Sequence, residues 1–417
     1  MRYFITDINS FKIKMLNWSK QFNIFCFINN CGFGQEQGFR NLVAAGASQQ
    51  FNIERCENFC DTDKIFKTND WLFGHISFEA GRKKSPLQKL PSDSFNDVSF
   101  FVPSILFELT DDEIIFLKCN VDPAETIRQI ENSPAEFEIS EKVPIIINNE
   151  ILPEEYFSAI GKLKQHLQQG DCYEMNYCQA FFGSAVIQPE QLYFKLSRLS
   201  PYPFSAFYKN GDSYCLCQSP ERFFKKENNK IISQPIKGTI KRQLTEEEDK
   251  INIQKLKSSK KDRAENVMIV DLVRNDLSVI CEAGTVKVDN LFEIKSFPSV
   301  HQMVSTISGE LMEGISAGEI FNALFPMGSM TGAPKTKVIE LTEKYERSQR
   351  GIFSGTIGYL TPEKNMDFNV VIRSLIYNGK NKSFSFRAGG GITINSDAAE
   401  EFEESLLKTQ ILRKVLL

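Results

Sequence analysis

The sequence predicts an α/β protein with two unequal parts, residues 1–148 and residues 149–417. From about residue 150 onward, helix-like and strand-like segments alternate and are joined by glycine-rich turns. Near the end, Phe384 and Phe386 alternate with serine, a glycine triplet interrupts this strand pattern, and an amphipathic helix follows. The chain has 417 residues, of which 41% are hydrophobic, so it can bury a large core.

The first part is patchier than the second. Short apolar segments at 24–28, 98–107 and 114–117 alternate with polar loops. The stretch 83–97 contains two prolines and several polar residues, which predicts a loop. Residues 131–141 predict a connector that leads toward the second part.

Composition argues against several classes of function. The formal net charge of −4 gives no electrostatic basis for binding nucleic acid. The ten cysteines form no Cys-x-x-Cys pair and only three histidines accompany them, which argues against a zinc site. Neither a signal-peptide core nor an apolar run of membrane-spanning length occurs. We therefore expect a cytoplasmic protein with free thiols that binds neither nucleic acid nor membrane.

Two helix-like segments carry acidic residues at helical spacing. Asp262 and Glu265 lie three residues apart, and Glu401, Glu404 and Lys408 lie at positions i, i+3 and i+7. Each set therefore falls on one face of its helix. The spacing by itself is typical of an exposed surface with salt-bridge partners, and the alternative is two opposed faces that share Mg²⁺ with an anionic substrate group.

Other segments are candidates for binding an anion. Residues 328–335 precede a helical run but fail the phosphate-loop pattern, because Ala333 and Pro334 separate the glycine from the lysine. A structural turn and a carboxylate site at the helix start both stay open. The triplet 389–391 permits a close backbone approach to a ligand or forms a strand bulge. Arg373, alone in an apolar strand-like run, needs either a protein carboxylate or a substrate carboxylate.

Lys237 lies in an apolar turn between Ile236 and Gly238. A desolvated lysine has a lowered pKa and becomes nucleophilic. Glu221 lies earlier in the chain, and a strand-turn-strand connection would bring the two side chains together. Glu221 would then act as a general acid or base, although Lys237 taken alone is one lysine among many.

Six segments of the second part form a specific joint pattern, although each alone is a weak signal. They are Gly170-Asp-Cys-Tyr, Asp271-Leu-Val-Arg-Asn-Asp276, 328–335, Gly355-Thr-Ile-Gly-Tyr359, Val371-Ile-Arg-Ser374 and 389–408. In this order and spacing, residues 150–417 resemble the chorismate-utilising enzymes: anthranilate, aminodeoxychorismate, isochorismate and salicylate synthases. In the family motif Pro-Ile-x-Gly-Thr, Lys237 matches the aminodeoxychorismate branch, whereas anthranilate synthases have alanine.

The resemblance implies a fold and a reaction. The fold is α/β, with two large antiparallel sheets packed together and helices outside. In the reaction, Lys237 attacks ring carbon C2 of chorismate as the 4-hydroxyl leaves, and ammonia then adds at C4 and expels the lysine. The product is 4-amino-4-deoxychorismate, which serves 4-aminobenzoate and folate biosynthesis. The alternative within the family is anthranilate synthesis for tryptophan, in which ammonia adds at C2.

Family positions carried over one by one imply a role for each candidate residue. Glu221 assists the departure of the hydroxyl as an acid. Glu265 and Glu404 hold Mg²⁺, which binds the ring carboxylate, and Asp262 and Glu401 lie close behind them. The enolpyruvyl carboxylate and the rest of the site involve Arg373, Gly389, Gly390, Gly391, Thr239, Ser329 and Lys408.

The chain also departs from the family pattern. Gln302 stands where the family has an active-site histidine, with His301 one position early, and Phe353 stands where anthranilate synthases have tyrosine. Glu174 replaces the usual glutamine, and isochorismate and salicylate synthases have a water-activating lysine there, which argues against those activities.

The resemblance implies a protein partner. Three scattered histidines give no Cys-His-Glu glutaminase arrangement. We therefore expect a separate glutamine amidotransferase subunit to supply ammonia. Residues 1–148 resemble the family poorly, and the tryptophan pocket of some relatives cannot be traced in them.

Overall fold

The computed structural model describes residues 1–138 and 144–417. The predicted connector at 131–141 therefore lies partly outside the described residues. The helices are α1 (Ile8–Ser19), α2 (Asp63–Phe66), α3 (Pro123–Glu131), α4 (Pro153–Gln169), α5 (Pro189–Leu199), α6 (Glu246–Ser258), α7 (Lys260–Ser278), α8 (Ala317–Leu324), α9 (Lys335–Tyr345) and α10 (Ala398–Leu416).

The strands of the first 210 residues are β1 (Arg2–Phe4), β2 (Ile24–Asn29), β3 (Leu42–Ile53), β4 (Leu72–Ile76), β5 (Val98–Leu109), β6 (Glu113–Cys119), β7 (Asn148–Asn149), β8 (Glu174–Ser184) and β9 (Phe204–Asn210). Those that follow are β10 (Ser213–Ser219), β11 (Arg222–Glu227), β12 (Lys230–Gln234), β13 (Ile236–Lys241), β14 (Lys287–Ser296), β15 (Val300–Glu310), β16 (Gly332–Ala333), β17 (Thr356–Leu360), β18 (Met366–Asn369), β19 (Ser374–Asn378) and β20 (Ser383–Ile392).

These strands form one continuous hydrogen-bonded network. Within residues 1–138 and 144–417 the network has 20 strands, and every pairing in it is antiparallel. One half runs β1-β6-β5-β3-β2-β9-β10-β19-β20-β8, and the other runs β5-β4-β17-β18-β11-β12-β15. The expected pair of large antiparallel sheets is confirmed, and the two are continuous through β5.

Strand β2 shows how the sheet serves two packing layers. Ile24 and Ile28 belong to a cluster shared with Ile357 of β17, which comes from the other half of the sheet. Phe25 and Phe27 point the opposite way, into a cluster with residues of α1, α5 and α10. Because successive side chains of a strand point to opposite faces, a strand covered on both faces is apolar at every position.

Helices α7 and α8 cover the outer face of the other half. Ile269 and Leu277 of α7 and Phe321 of α8 pack in one cluster with Phe224 of β11 and Phe368 of β18. The predicted helices outside the sheets are therefore present. The helix predicted over 260–272 continues to Ser278, and Ser259 caps its start by accepting a hydrogen bond from the Asp262 amide.

Strands on both sides of the predicted boundary between residues 148 and 149 share this sheet. β2 pairs with β9, and β4 pairs with β17. The division into a 1–148 part and a 149–417 part stays a prediction. The stretch 83–97 contains neither helix nor strand, as its prolines predict.

Two strand predictions were wrong. The glycines at 389–391 do not interrupt a strand, because they lie inside β20 and pair with Cys178, Tyr177 and Asn176 of β8. Conversely, the apolar run around Arg373 is not a continuous strand. β18 ends at Asn369, and Arg373 has a φ of 51°, in the left-handed region, before β19 begins.

A buried ion pair ties β11 to β18 and to the amino-terminal part. The Arg222 guanidinium donates to both carboxylate oxygens of Asp367, at 3.0 and 3.2 Å. It also donates to the Gly38 carbonyl at 3.0 Å and to Gln234 Oε1 at 2.8 Å. Arg222 and Asp367 are each 2% exposed, so water cannot replace either partner.

Arg222→Met is expected to destabilise the fold by about 3 kcal/mol, because it leaves the Asp367 carboxylate buried without its partner. Urea unfolding followed by circular dichroism measures this change. The matched control is Arg222→Met combined with Asp367→Leu, which removes both charges and should recover most of the loss. A double variant as unstable as the single one would contradict this account.

Candidate active site

One cavity of about 200 Å³ gathers the side chains that the sequence singles out. Its wall comes from β13, β20, α7, α10 and the segments around residues 329 and 373. All predicted site residues line it: Glu221, Lys237, Thr239, Asp262, Glu265, Ser329, Arg373, Gly389, Gly390, Gly391, Glu401, Glu404 and Lys408. Their chemical roles stay predictions.

Lys237 reaches the cavity from β13, and its ammonium group is buried against the carboxylate of Glu174 at the start of β8. Burial lowers the pKa of Lys237, but the negative charges of Glu174, Glu265 and Glu221 outweigh it, so the pKa is raised. The sequence-based expectation of a lowered lysine pKa was therefore wrong. The reason is that the site is buried but carries nearby carboxylates.

Glu221 lies immediately before β11, and the hairpin of β11 and β12 returns the chain to β13, which holds Lys237. This is the predicted strand-turn-strand connection. Glu221 is 4% exposed, and burial raises its pKa to about 7, although Ser329 and Lys237 lower it in part. A carboxyl group with this pKa can hold a proton near neutral pH and release it in a reaction.

Helices α7 and α10 present their acidic faces to the same cavity. Glu265 has a buried Oε1 atom without a hydrogen-bond partner among the described residues, and burial raises its pKa to about 7. Glu404 pairs with Lys408 at 2.7 Å, and this ion pair lowers the Glu404 pKa. Glu401 accepts a hydrogen bond from Ser396 at 2.8 Å.

These carboxylates fit a magnesium ion shared with a substrate. Mg²⁺ prefers oxygen ligands and often takes only one or two protein carboxylates together with an anionic substrate group. Among residues 1–138 and 144–417, no group of three or more His, Cys, Asp or Glu side chains is arranged to hold a metal by itself. The unpartnered oxygen of Glu265 is available to such an ion. Mg²⁺ binding stays a prediction.

Arg373 supplies positive charge to the cavity. No carboxylate pairs with it in the described part of the chain, where its guanidinium donates to the Tyr202 hydroxyl and stacks on that ring at 4.6 Å. Burial lowers its pKa to about 10. Of the two partners left open by the sequence, a protein carboxylate does not occur among the described residues, and a substrate carboxylate stays a prediction.

The glycine triplet leaves room for the charged groups. A Cβ at Gly391 would collide with Oε1 of Glu174 and lie 2.8 Å from Nζ of Lys237. A Cβ at Gly390 would lie 2.7 Å from Oε2 of Glu401. Glycine is favoured here because protein side chains approach the backbone closely. The predicted strand bulge is not present, since the pairing with β8 continues without a register shift, and the close approach of a ligand stays a prediction.

The structure shows where the residues that depart from the family pattern lie. Gln302 and Phe353 line the cavity, and Gln302 donates to Thr239 at 3.2 Å. His301 faces away, with Nε2 2.9 Å from Asp249. In the segment 328–335, Ser329 lines the cavity, whereas Lys335 pairs with Asp276 at 2.7 Å, which supports a structural turn at that end.

Sequence reasoning missed further lining residues. Asn176 faces the cavity from β8 and donates to the Ser329 carbonyl at 3.1 Å. Lys261 ends a basic run that reads as a solvated helix face, yet it lines the cavity and lies 3.7 Å from Glu401. Its position four residues before Glu265, on the same face of α7, was the available signal. Arg387 also lines the cavity, but no local pattern marks it, because it lies in the middle of the strand-like segment that forms β20.

Comparisons place the chain in a family. The profile described as chorismate binding enzyme matches residues 25–414, so the chain belongs to the chorismate-binding enzyme family. The match also covers most of the amino-terminal part, where the sequence showed little resemblance. Among the described residues, no helix is long and apolar enough to cross a membrane, and all ten cysteines are free.

Individual relatives fall on two branches. Aminodeoxychorismate synthase component 1 of Escherichia coli is 40% identical over 63% of this chain and 58% of its own length. Anthranilate synthase component 1 of Aquifex aeolicus is 33% identical over 70% of this chain and 59% of its own. The chain thus spans less than two thirds of the length of these curated relatives.

A solved structure shares the fold. Anthranilate synthase component I from Streptococcus pneumoniae superposes with a TM-score of 0.77 at 22% identity, covering 89% of this chain and 92% of that one.

Glu221→Gln is expected to stabilise the protein at pH above about 7. The folded-state pKa of Glu221 is about 7 against an ordinary 4.5, so stability is lost as the pH rises through that window. The loss above the window is about 3 kcal/mol, and glutamine avoids it. Thermal unfolding as a function of pH measures this. A stability gain of the same size at pH 4 and at pH 8 would contradict the raised pKa.

Gly391→Ala is expected to displace the Lys237 side chain, because the new methyl group would overlap the Lys237–Glu174 pair. Ligand binding measured by calorimetry with chorismate and Mg²⁺ should be lost or at least tenfold weaker. The matched control is Gly161→Ala, at an exposed position of α4 with open space around it. That substitution should leave binding unchanged and stabilise the helix by about 1 kcal/mol.

Proposed function

We propose that this chain converts chorismate and ammonia into 4-amino-4-deoxychorismate, with Lys237 as the nucleophile. The observation that carries the proposal is the place of Lys237, whose amine lies at the cavity wall with Glu221 nearby. The curated relatives named aminodeoxychorismate synthase, at about 40% identity, support the same choice.

Opposite charges in the cavity suit a substrate with two carboxylates. Arg373, which has no counter-ion among the described residues, and the amides of Gly389–391 would hold the enolpyruvyl carboxylate. Glu265 and Glu404 would hold Mg²⁺, with Asp262 and Glu401 behind them, and the ion would neutralise the ring carboxylate. Thr239, Ser329 and Lys408 would complete the wall. The ring would then lie between Lys237 and Glu221.

Replacement of the 4-hydroxyl at the same carbon calls for two displacements. The Lys237 nitrogen forms a bond to C2, the conjugated double bonds shift, and the C4–O bond breaks. Glu221, whose pKa of about 7 lets it hold a proton, donates that proton to the leaving hydroxyl. Ammonia then adds at C4 and the bond from C2 to Lys237 breaks, which restores the lysine.

The proposal includes a source of ammonia and a destination for the product. The name component 1 of the relatives fits a second component, and we propose a separate glutamine amidotransferase that supplies ammonia to this chain. The product would serve 4-aminobenzoate and folate biosynthesis in the cytoplasm. The rival function is anthranilate synthesis, which the Aquifex aeolicus relative favours and Lys237 opposes.

A product assay tests the proposal. The purified chain is incubated with chorismate, Mg²⁺ and an ammonium salt at alkaline pH, with and without an added aminodeoxychorismate lyase, and products are identified by mass spectrometry. We expect aminodeoxychorismate in both reactions and 4-aminobenzoate only with the lyase. Lys237→Ala should reduce both by at least 100-fold, because the first displacement has no nucleophile.

Two controls sharpen this assay. Lys335→Met removes a lysine that pairs with Asp276 outside the cavity wall and should retain the activity if the variant remains folded. Anthranilate formed without lyase would establish the rival function instead. If chorismate is not consumed with ammonium, or with glutamine and the amidotransferase, the proposed reaction is wrong.

A further inference from the structure

Glu174 is the nearest acidic group to the proposed nucleophile. Its Oε1 atom accepts a hydrogen bond from Nζ of Lys237, and Glu174 is 1% exposed. Its second oxygen, Oε2, is buried and has no partner among the described residues. The carboxylate is therefore committed to Lys237 and to nothing else that the structure describes.

The backbone around Glu174 is held in place from two sides. Residue 174 pairs with Ala333 of β16, and the next residue, Met175, pairs with Gly332 and with Ile392 of β20. Gly332 has a φ of 142°, and a Cβ there would collide with the Glu174 carbonyl oxygen. The carboxylate thus projects from a fixed strand end toward Lys237.

The resting charge of Lys237 creates a chemical requirement. Its carboxylate neighbours favour the ammonium form, which has no lone pair to attack a carbon atom. Charged groups from several elements share the cavity with it: Glu221, Lys261, Asp262, Glu265, Arg373, Arg387, Glu401, Glu404 and Lys408. In the described part of the chain, Glu174 is the carboxylate that forms an ion pair with Lys237 within 4.0 Å.

Glu221 and Glu265, the two other carboxylates whose charge raises the pKa of Lys237, have competing tasks in the proposed reaction. Glu221 must carry a proton toward the leaving hydroxyl, so it cannot also remove one from the lysine in the same step. Glu265 would hold the metal ion. Because both residues have these tasks, Glu174 is the remaining member of this set of three that can accept the proton of Lys237.

We propose that Glu174 takes a proton from the Lys237 ammonium before attack on the substrate and returns it after the lysine is released. This inference rests on the proposed function, because it assigns the proton transfers of that reaction. Glu174 acts through Lys237 and not on the substrate. A glutamine at this position could not accept a proton near neutral pH.

The proton balance closes over one turnover. One proton moves from Lys237 to Glu174, and the neutral amine then bonds to C2 as a secondary ammonium group. The C4–O bond breaks and the proton of Glu221 leaves in a water molecule. Ammonia bonds to C4, the C2–N bond breaks with its electrons returning to Lys237, and Glu174 reprotonates that amine. Glu221 takes the surplus proton from the new C4 ammonium group. Glu221 and Lys237 are then protonated and Glu174 is a carboxylate, as they were at the start.

Glu174→Gln tests the inference, because glutamine keeps the size and a hydrogen-bond acceptor but removes the base. The measured quantity is the rate of adduct formation in a single turnover without ammonia, followed by intact-protein mass spectrometry. The adduct adds the mass of chorismate less one water. Near pH 7 we expect the variant to react about 100-fold more slowly than the wild type.

The pH dependence separates proton transfer from a structural defect. In the variant, Lys237 must lose its proton to water, so the ratio of variant to wild-type rate should rise by about tenfold per pH unit. Taking the ratio cancels the titration of Glu221, which both proteins share. Glu174→Asp keeps a carboxylate and should react faster than Glu174→Gln near pH 7, with a ratio that does not rise with pH.

Glu190→Gln is the matched control, since Glu190 is also a buried glutamate, 3% exposed, but lies on α5 and outside the cavity wall. It should match the wild type. A Glu174→Gln rate equal to wild type, or reduced by the same factor at every pH, would overturn the inference. If Glu174→Gln does not fold, a pH-dependent ratio for Glu174→Asp would overturn it as well. If the wild type forms neither adduct nor aminodeoxychorismate, the proposed function fails instead.

Discussion

The antiparallel ladder between β8 and β20 is the constraint on which the cavity depends. It pairs Gly389 with Cys178 and Gly391 with Asn176, and a side chain at either glycine would collide with β8 or with the charged groups beside it. Glycines therefore let β20 pass close to Lys237. The same ladder fixes the start of β8, where Glu174 meets that lysine. One set of backbone hydrogen bonds thus shapes the wall and aligns the central ion pair.

Charge balance explains why the cavity tolerates so many ionisable groups. Acidic faces of α7 and α10 meet cations from β13 and from α10 itself, so charges of opposite sign lie close together in the cavity wall. The exceptions are informative. Arg373 has no counter-ion and Glu265 has an unpartnered oxygen in the described structure. Each is a place where a ligand of opposite charge would lower the free energy, and together they suit a dianion bound with a cation.

Much of the site could be predicted from sequence because its groups recur in ordered motifs, and helical spacing placed Glu401 and Glu404 on one face. The Glu174–Lys237 contact could not, since the two residues are 63 positions apart and no local pattern relates them. The pKa of Lys237 was predicted to be lowered for the same reason. Apolar neighbours in the sequence indicate burial, whereas the carboxylates that raise the pKa come from other elements and cannot be recognised from the local sequence. In the fold, strand alternation was readable, but glycines inside β20 and the left-handed Arg373 depend on tertiary packing.

Strand β5 joins the two halves of the sheet. It pairs with β3 along one edge and with both β4 and β6 along the other. Strands from the first third of the chain therefore continue each half of the sheet, through β2 beside β9 and through β4 beside β17. A polypeptide lacking that third would expose the unpaired backbone edges of β9 and β17, which invite pairing with other chains. The amino-terminal strands therefore cover two sheet edges that would otherwise be open to pairing with other chains.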